Sequence, residues 1–317
     1  MRMVSALFVA LAMCSPGASA QTPPLLKVVV PFPAGGAADI VARLWGEDVK
    51  NGGGPTVVVE NRPGGSAIIG TDLVSRAAPD GGTVGIVAPS FLITAAIRKL
   101  PYDPFKNFEH LCRLIDSPQI VAVNAASPYK TYDELIAAAH ARPGTLMLGA
   151  NGPATTQHVV AEMLKKASKA NMTFVPFNGA APSVTSLMGG QTHVVVANYA
   201  EVKAFIDSGG LRAVLVTSPQ RIAPLPDVPT AREKGLGFDI TNWFGMVGTG
   251  ASPKPAVDAL QGYAKKALAN ASIIDKLAQA QLSPAVLCGA DFTAFLREQY
   301  ETYAAIAREA GIKDESP

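Results

Sequence analysis

The sequence predicts an α/β protein of two similar lobes with a cleft between them. Three observations carry this. Short apolar runs alternate with helix-period segments from Lys27 to Ala88, the mark of a parallel sheet covered on both faces. The alternation starts again at Tyr132, so the unit occurs twice. Between the two lies Leu111–Asn124, one long β-rich stretch that can carry the chain from one unit to the next.

The elements follow in order. Lys27–Phe32 is an apolar run ended by a glycine-bearing turn. Ala37–Lys50 places Ile40, Leu44 and Trp45 on one face, the spacing of a helix. Thr56–Glu60 reads as a strand stopped by Asn61–Gly65. Ser66–Ala78 reads as a helix stopped by Pro79-Asp80-Gly81-Gly82, and Thr83–Ala88 as a third strand. The second unit opens with a helix at Tyr132–Ala141. Strands at Leu146–Gly149, Thr173–Phe177 and His193–Ala197 then alternate with helices at Thr155–Lys169 and Ala181–Met188. Leu211–Thr217 is a further strand, and a proline-rich stretch precedes a short helix at Thr230–Lys234. Phe244–Gly248 reads as the last strand, followed by helices at Lys254–Ala269 and Asp291–Ala310. With crossings at 111–124 and near 225–245, residues 21–122 and 228–317 form the first lobe and 123–227 the second.

Composition narrows the function. Glycine and proline fill 54 of 317 positions, while 48% of residues are apolar and 16% charged. That is a turn-rich globular protein, not a disordered one. The net charge of +2 comes without a lysine or arginine cluster, so nucleic acid is not an expected partner. The four histidines and three cysteines form no ligand-spaced set, so no metal or other cofactor is expected. His158 and Glu162 are four apart on one helix, a spacing read as a packing or capping pair rather than metal ligands.

The first 20 residues read as a secretory signal. Arg2 is followed by apolar Met3–Met13, too short for a bilayer, and Ala18-Ser19-Ala20 forms a cleavage site before Gln21. Cys14 ends a lipobox-like run, but Met13 stands where a small residue is needed, so lipidation is not expected. Cleavage leaves 297 residues with a net charge of +1. Cys112 and Cys288 remain, and an oxidising compartment permits them to pair or to stay as two separate buried thiols.

Four polar, glycine-bearing turns each join a strand to a helix: Pro31–Asp39, Arg62–Ser66, Gly149–Thr156 and Phe177–Pro182. Glycine lets a ligand approach the backbone, and free N–H groups at a helix start favour an anion. Asp39 is placed to buttress the first turn through backbone N–H groups. Each turn alone is ordinary. Divided between two lobes, they predict opposed helix N-termini that grip a small anion. Trp243-Phe244 reads as core that can also wall the cleft. No Gly-x-Ser-x-Gly elbow, P-loop or dinucleotide fingerprint occurs, so no catalytic residue is expected.

In these turns the chain resembles the Bug-type solute receptors of tripartite tricarboxylate transporter systems. The resemblance is carried by Val30–Asp39, Val59–Gly65, Ala78–Gly81, Leu100–Pro104, Val175–Phe177, Gly189–Gln191 and Leu225–Thr230, in that order. It implies a type II-like, two-lobed periplasmic-binding-protein fold without enzymatic activity. It also implies a monomer that delivers a small carboxylate to membrane transporter subunits. A ligand-sensing receptor for a signalling partner is the alternative. The implied ligand contacts are Phe32, Ala34, Gly35 and Gly36 in the first turn, Gly65 and Ser66 in the next, and Ser90 after the third strand. In the second lobe they are Thr155, Asn178, Gly179, Ala197 and Asn198, and Asp39 joins the set of the first turn. Where the family usually has an acid, this chain has Ala197 followed by Asn198, and His193 stands at another such place; Phe177-Asn178 replaces the family's more usual Tyr-Lys and removes a cation. Loss of that acid favours a plain carboxylate, aromatic or dicarboxylic, over an amino acid.

Overall fold

The computed structural model describes residues 23–152 and 154–312. The signal-like segment at 1–20 therefore lies outside the described residues. In chain order the elements are β1 Leu25–Val30, α1 Ala37–Asn51, β2 Thr56–Asn61, α2 Ile68–Ser75, β3 Thr83–Val87, α3 Ser90–Ile97 and β4 Phe108–Ser117. Next come β5 Gln119–Asn124, α4 Tyr132–Ala141, β6 Met147–Asn151, α5 Thr156–Ser168, β7 Thr173–Phe177, α6 Ala180–Met188, β8 Val194–Asn198, α7 Tyr199–Asp207 and β9 Leu211–Val216. The chain ends with β10 Asn242–Thr249, α8 Lys254–Ala267, α9 Ala271–Gln279, β11 Ser283–Cys288 and α10 Ala290–Ala310.

The strands form two sheets, ordered β11-β4-β10-β3-β1-β2 and β7-β6-β8-β5-β9. Both are mixed rather than mainly parallel. β1, β2 and β3 run parallel, as do β6, β7 and β8. β10 is antiparallel to β3 and β4, and β5 is antiparallel to β8 and β9. The reason is topological. β4 and β9 end at the side where the sheets meet, and the strand that follows each, β5 or β10, starts there in the other sheet and runs away. The sheet changes at Pro118, between β4 and β5, so all of β5 belongs to the second sheet. The chain returns between β9 and β10, through residues 217–241.

Alternate residues of β1 face opposite covers. Leu26, Val28 and Val30 pack with Trp45, Leu114 and Met246 in one cluster, while Val29 joins Phe91, Trp243 and Phe292 in another. The latter cluster continues into the second unit through Val121, Leu148 and Val160. A third, with Ile120, Leu187 and Val202, covers the other face of the second sheet.

Several elements differ from expectation. The β-rich stretch divides into β4 and β5. The segment Thr230–Lys234 is a bridge and turn, not a helix. α2 starts at Ile68 rather than Ser66, because residues 64–67 all have positive φ and cannot lie in a right-handed helix. Cys112 and Cys288 pair in a disulfide that fastens edge strand β11 to β4.

Candidate functional site

A cleft of about 610 Å³ opens where the two sheets meet. Five helix N-termini reach its wall: α1 and α3 beside the first sheet, α5, α6 and α7 beside the second. Each helix follows a strand of its sheet, so its first turn projects beyond that strand's end. Unpaired N–H groups at these ends carry partial positive charge.

The first turn is held from behind. Gly35 adopts φ +84°, and its N–H donates to Asp39 Oδ2 at 3.0 Å. Arg43 Nε donates to the same oxygen at 2.9 Å, and Asn61 Nδ2 donates to Oδ1 at 3.0 Å. Asn61 Nδ2 also reaches Phe32 O at 3.2 Å. Asp39 is 4% exposed. Burial works against its charge, but the bonds from Arg43, Gly35 and Asn61 outweigh it and lower its pKa. Asp39 thus ties the β1–α1 turn to the end of β2. It supports the turn and is not on the cleft wall.

The helix ends are of two kinds. α1 and α6 begin after Gly36 and Gly179, and α3 after Pro89, with no side-chain cap. α5 is capped by Thr155, whose hydroxyl accepts from His158 N at 3.2 Å and donates to Gly152 O at 2.8 Å. At α7, the Glu201 carboxylate accepts from Asn198 N at 2.9 Å. Glu201 is the only ionisable side chain among the described residues lining the cleft. Its side chain is exposed to the cleft. Desolvation by the protein packed around it pushes its pKa up against the opposing bonds from Asn198.

Where the chain crosses, polar side chains of both sheets meet. Ser117 is in register with Asn242, and Gln119 with Asn198. Asn198 Oδ1 accepts from Gln119 Nε2 at 2.8 Å and from Asn242 Nδ2 at 3.3 Å. Thr156 Oγ1 donates to Asn242 Oδ1 at 3.0 Å. β10 of the first sheet is thereby bonded to β8 and α5 of the second unit. The buried hydroxyls of Ser90 and Ser117, both from wall residues, have no protein partner. Apolar surface comes from Phe32 and Phe244, whose rings meet edge to face at 6.3 Å.

Of the residues singled out from sequence, Phe32, Ala34, Gly35, Gly36, Ser90, Thr155, Gly179 and Asn198 share the cleft wall. Gly65, Ser66, Asn178 and Ala197 do not. Gly65 and Ser66 follow β2, the edge strand of its sheet, which sets their turn to one side. Ala197 is buried in the core beneath the second sheet. Sequence reasoning missed Ser117, Glu201 and Asn242. For Glu201 a signal existed, since Asn198 followed three residues later by Glu is a helix-start pattern. Trp243 is core, packed on Phe292 and Phe295, and Phe244 walls the cleft. His158 stacks on Phe174 at 4.3 Å with Glu162 at 3.8 Å. The described residues contain no cluster of three or more metal-ligating side chains, and no helix long and apolar enough to cross a membrane.

Two sheets of this topology, with helix N-termini converging on one cleft, define a two-lobed solute-binding protein. The Tripartite tricarboxylate transporter family receptor profile, TctC, matches residues 41–312. Protein BugT of Bordetella pertussis is 30% identical over 317 residues, covering 98% of this chain and 97% of BugT. The structure of periplasmic binding protein BugD superposes with a TM-score of 0.77 at 31% identity, covering 91% of this chain and 98% of BugD. R. palustris Rpa4515 with adipate superposes with a TM-score of 0.82 at 28% identity, over 91% and 98% of the two chains. The chain belongs to the tripartite tricarboxylate transporter receptor family, and is a periplasmic solute-binding receptor rather than an enzyme.

Proposed function

We propose that this receptor captures a small carboxylate in the cleft and delivers it to the membrane subunits of a tripartite tricarboxylate-type transporter. The observation that carries the reading is the pair of uncapped helix starts at Gly36 and Gly179, one from each sheet, on a wall whose described residues include no basic side chain. Backbone N–H groups are then the donors for the anion, aided by the hydroxyls of Ser90 and Ser117 and by water. An arginine clamp is not needed.

The reading takes the lobes to follow the sheets, with crossings at Pro118 and within 217–241. It takes the protein to be exported by residues 1–20 and to act as a monomer. A carboxylate bridging α1 and α6 touches both lobes at once. It stabilises the closed arrangement by binding it more tightly than the open one. Adipate in the Rpa4515 structure supports a carboxylate ligand, and Phe32 and Phe244 support an aromatic or aliphatic body.

Calorimetry against mono-, di- and tricarboxylates tests the reading. Saturable binding of one or more of them, at one site per chain, is expected. Binding of a different ligand class, with no carboxylate bound, overturns it.

A further inference from the structure

The cleft is electrostatically asymmetric. α1 and α6 start without a side-chain cap, and so offer N–H groups to a ligand anion. α7 already holds an anion of its own, because the Glu201 carboxylate accepts from Asn198 N. No lysine, arginine or histidine stands on the described wall to offset that charge. The uncapped starts thus favour an anion, while Glu201 offers only acceptors when ionised.

We propose that Glu201 is the specificity-determining residue of the cleft. It favours ligands with one carboxylate, whose far end is apolar or carries a hydrogen-bond donor, over ligands with two ionised carboxylates. This rests on the carboxylate reading and narrows it. Gly36, Gly179 and Glu201 line one cleft, so the rest of a ligand whose carboxylate sits at α1 and α6 shares that cleft with Glu201. A second carboxylate there meets a like charge on the same wall, with no described basic side chain to offset it. A hydroxyl or ammonium meets an acceptor, and a charge-assisted bond is roughly twice as strong as a neutral one. An aromatic or aliphatic tail lies on Phe32 and Phe244 and leaves Glu201 solvated.

The test compares hexanoate, 6-hydroxyhexanoate and adipate on the intact receptor by calorimetry at about pH 8, where an ordinary carboxyl is ionised. Glu201→Gln is measured beside it. Glutamine can still accept from the helix start, so the melting temperature is expected to hold. The wild type should bind hexanoate or 6-hydroxyhexanoate at least about tenfold more tightly than adipate. Glu201→Gln should narrow that ratio about tenfold, chiefly through tighter adipate binding. A wild type that prefers adipate overturns the proposal whatever the variant does. A ratio unchanged by Glu201→Gln does so too, and either result leaves the carboxylate reading standing. Failure of both proteins to bind any carboxylate overturns the proposal and the carboxylate reading together.

Discussion

Gly36 separates binding from stability. It is the N-cap of α1 with φ −80° and ψ 172°, a conformation open to any residue. A Cβ added there meets only Pro33 O, at 3.7 Å, an ordinary contact. Gly36→Leu therefore needs no backbone change, and its side chain enters the cleft over the first N–H groups of α1. If a ligand carboxylate takes two of these N–H groups, each bond to a charged acceptor is worth about 1.5–3 kcal/mol. Losing both costs about 3–6 kcal/mol, or about 10²–10⁴ in Kd. Exchanging glycine for an apolar N-cap costs about 1 kcal/mol of stability, and about 2–4 °C in Tm for a chain of this size class. Gly35 is the control. Its φ of +84° strains any side chain although the space is open, so Gly35→Leu should lower Tm by more. Calorimetry with the tightest carboxylate of the panel, beside differential scanning calorimetry, reads both effects. The reasoning fails if Gly36→Leu binds within about threefold of wild type. It fails equally if its Tm falls as far as that of Gly35→Leu.

Three further outcomes are expected. Asp39→Asn should lower stability at pH 7 by about 1–3 kcal/mol, since it weakens charged hydrogen bonds to Arg43 and Gly35. The Asp39 pKa is lowered on folding, so its contribution is present above the ordinary value of 3.8 and is lost as pH falls through the folded value. Melts in acid should therefore show a shallower decline for the variant. Cys288→Ser removes a cross-link between residues 176 apart. It should cost about 2–4 kcal/mol, seen as a lower Tm that reductant reproduces in wild type. Burial lowers the pKa of both His110 and His158. The unfolded chain takes up their protons first, so stability should fall as pH drops below the ordinary value of 6.5. His158→Phe should remove part of that slope in Tm-against-pH measurements.

Local signals made much of the fold legible. α4 carries a complete capping box at Thr131 and Glu134, and α5 starts at a Thr155 cap. α7 and α9 carry start signals too, in Asn198 with Glu201 and in Asn270, whose side chain accepts from Ser272 N, yet the expected element order contains neither helix. α3 carries no local signal at all. Phe91, Leu92, Ile93 and Thr94 are all buried, and a helix covered all round shows no 3.6-residue alternation. β11 was hidden for another reason. Pro284 argues locally against a strand and is tolerated because β11 is an edge held to β4 by the Cys288 disulfide.

The sequence by itself determined the alternating elements, the family and the glycines at the starts of α1 and α6. Those properties are local: they depend on side-chain period, caps and backbone freedom within a few residues. Tertiary structure alone decided which turns share a cleft. Gly36, Thr155, Gly179 and Asn198 face one another because β1, β6, β7 and β8 all end where the sheets meet. The Gly65–Ser66 turn, similar in sequence, lies off that wall after edge strand β2. Ser117, Glu201 and Asn242 acquire a place at the site only when two chain crossings bring distant segments together. No pattern within a short window encodes that meeting, because it is set by strand order and by the reversal of β5 and β10.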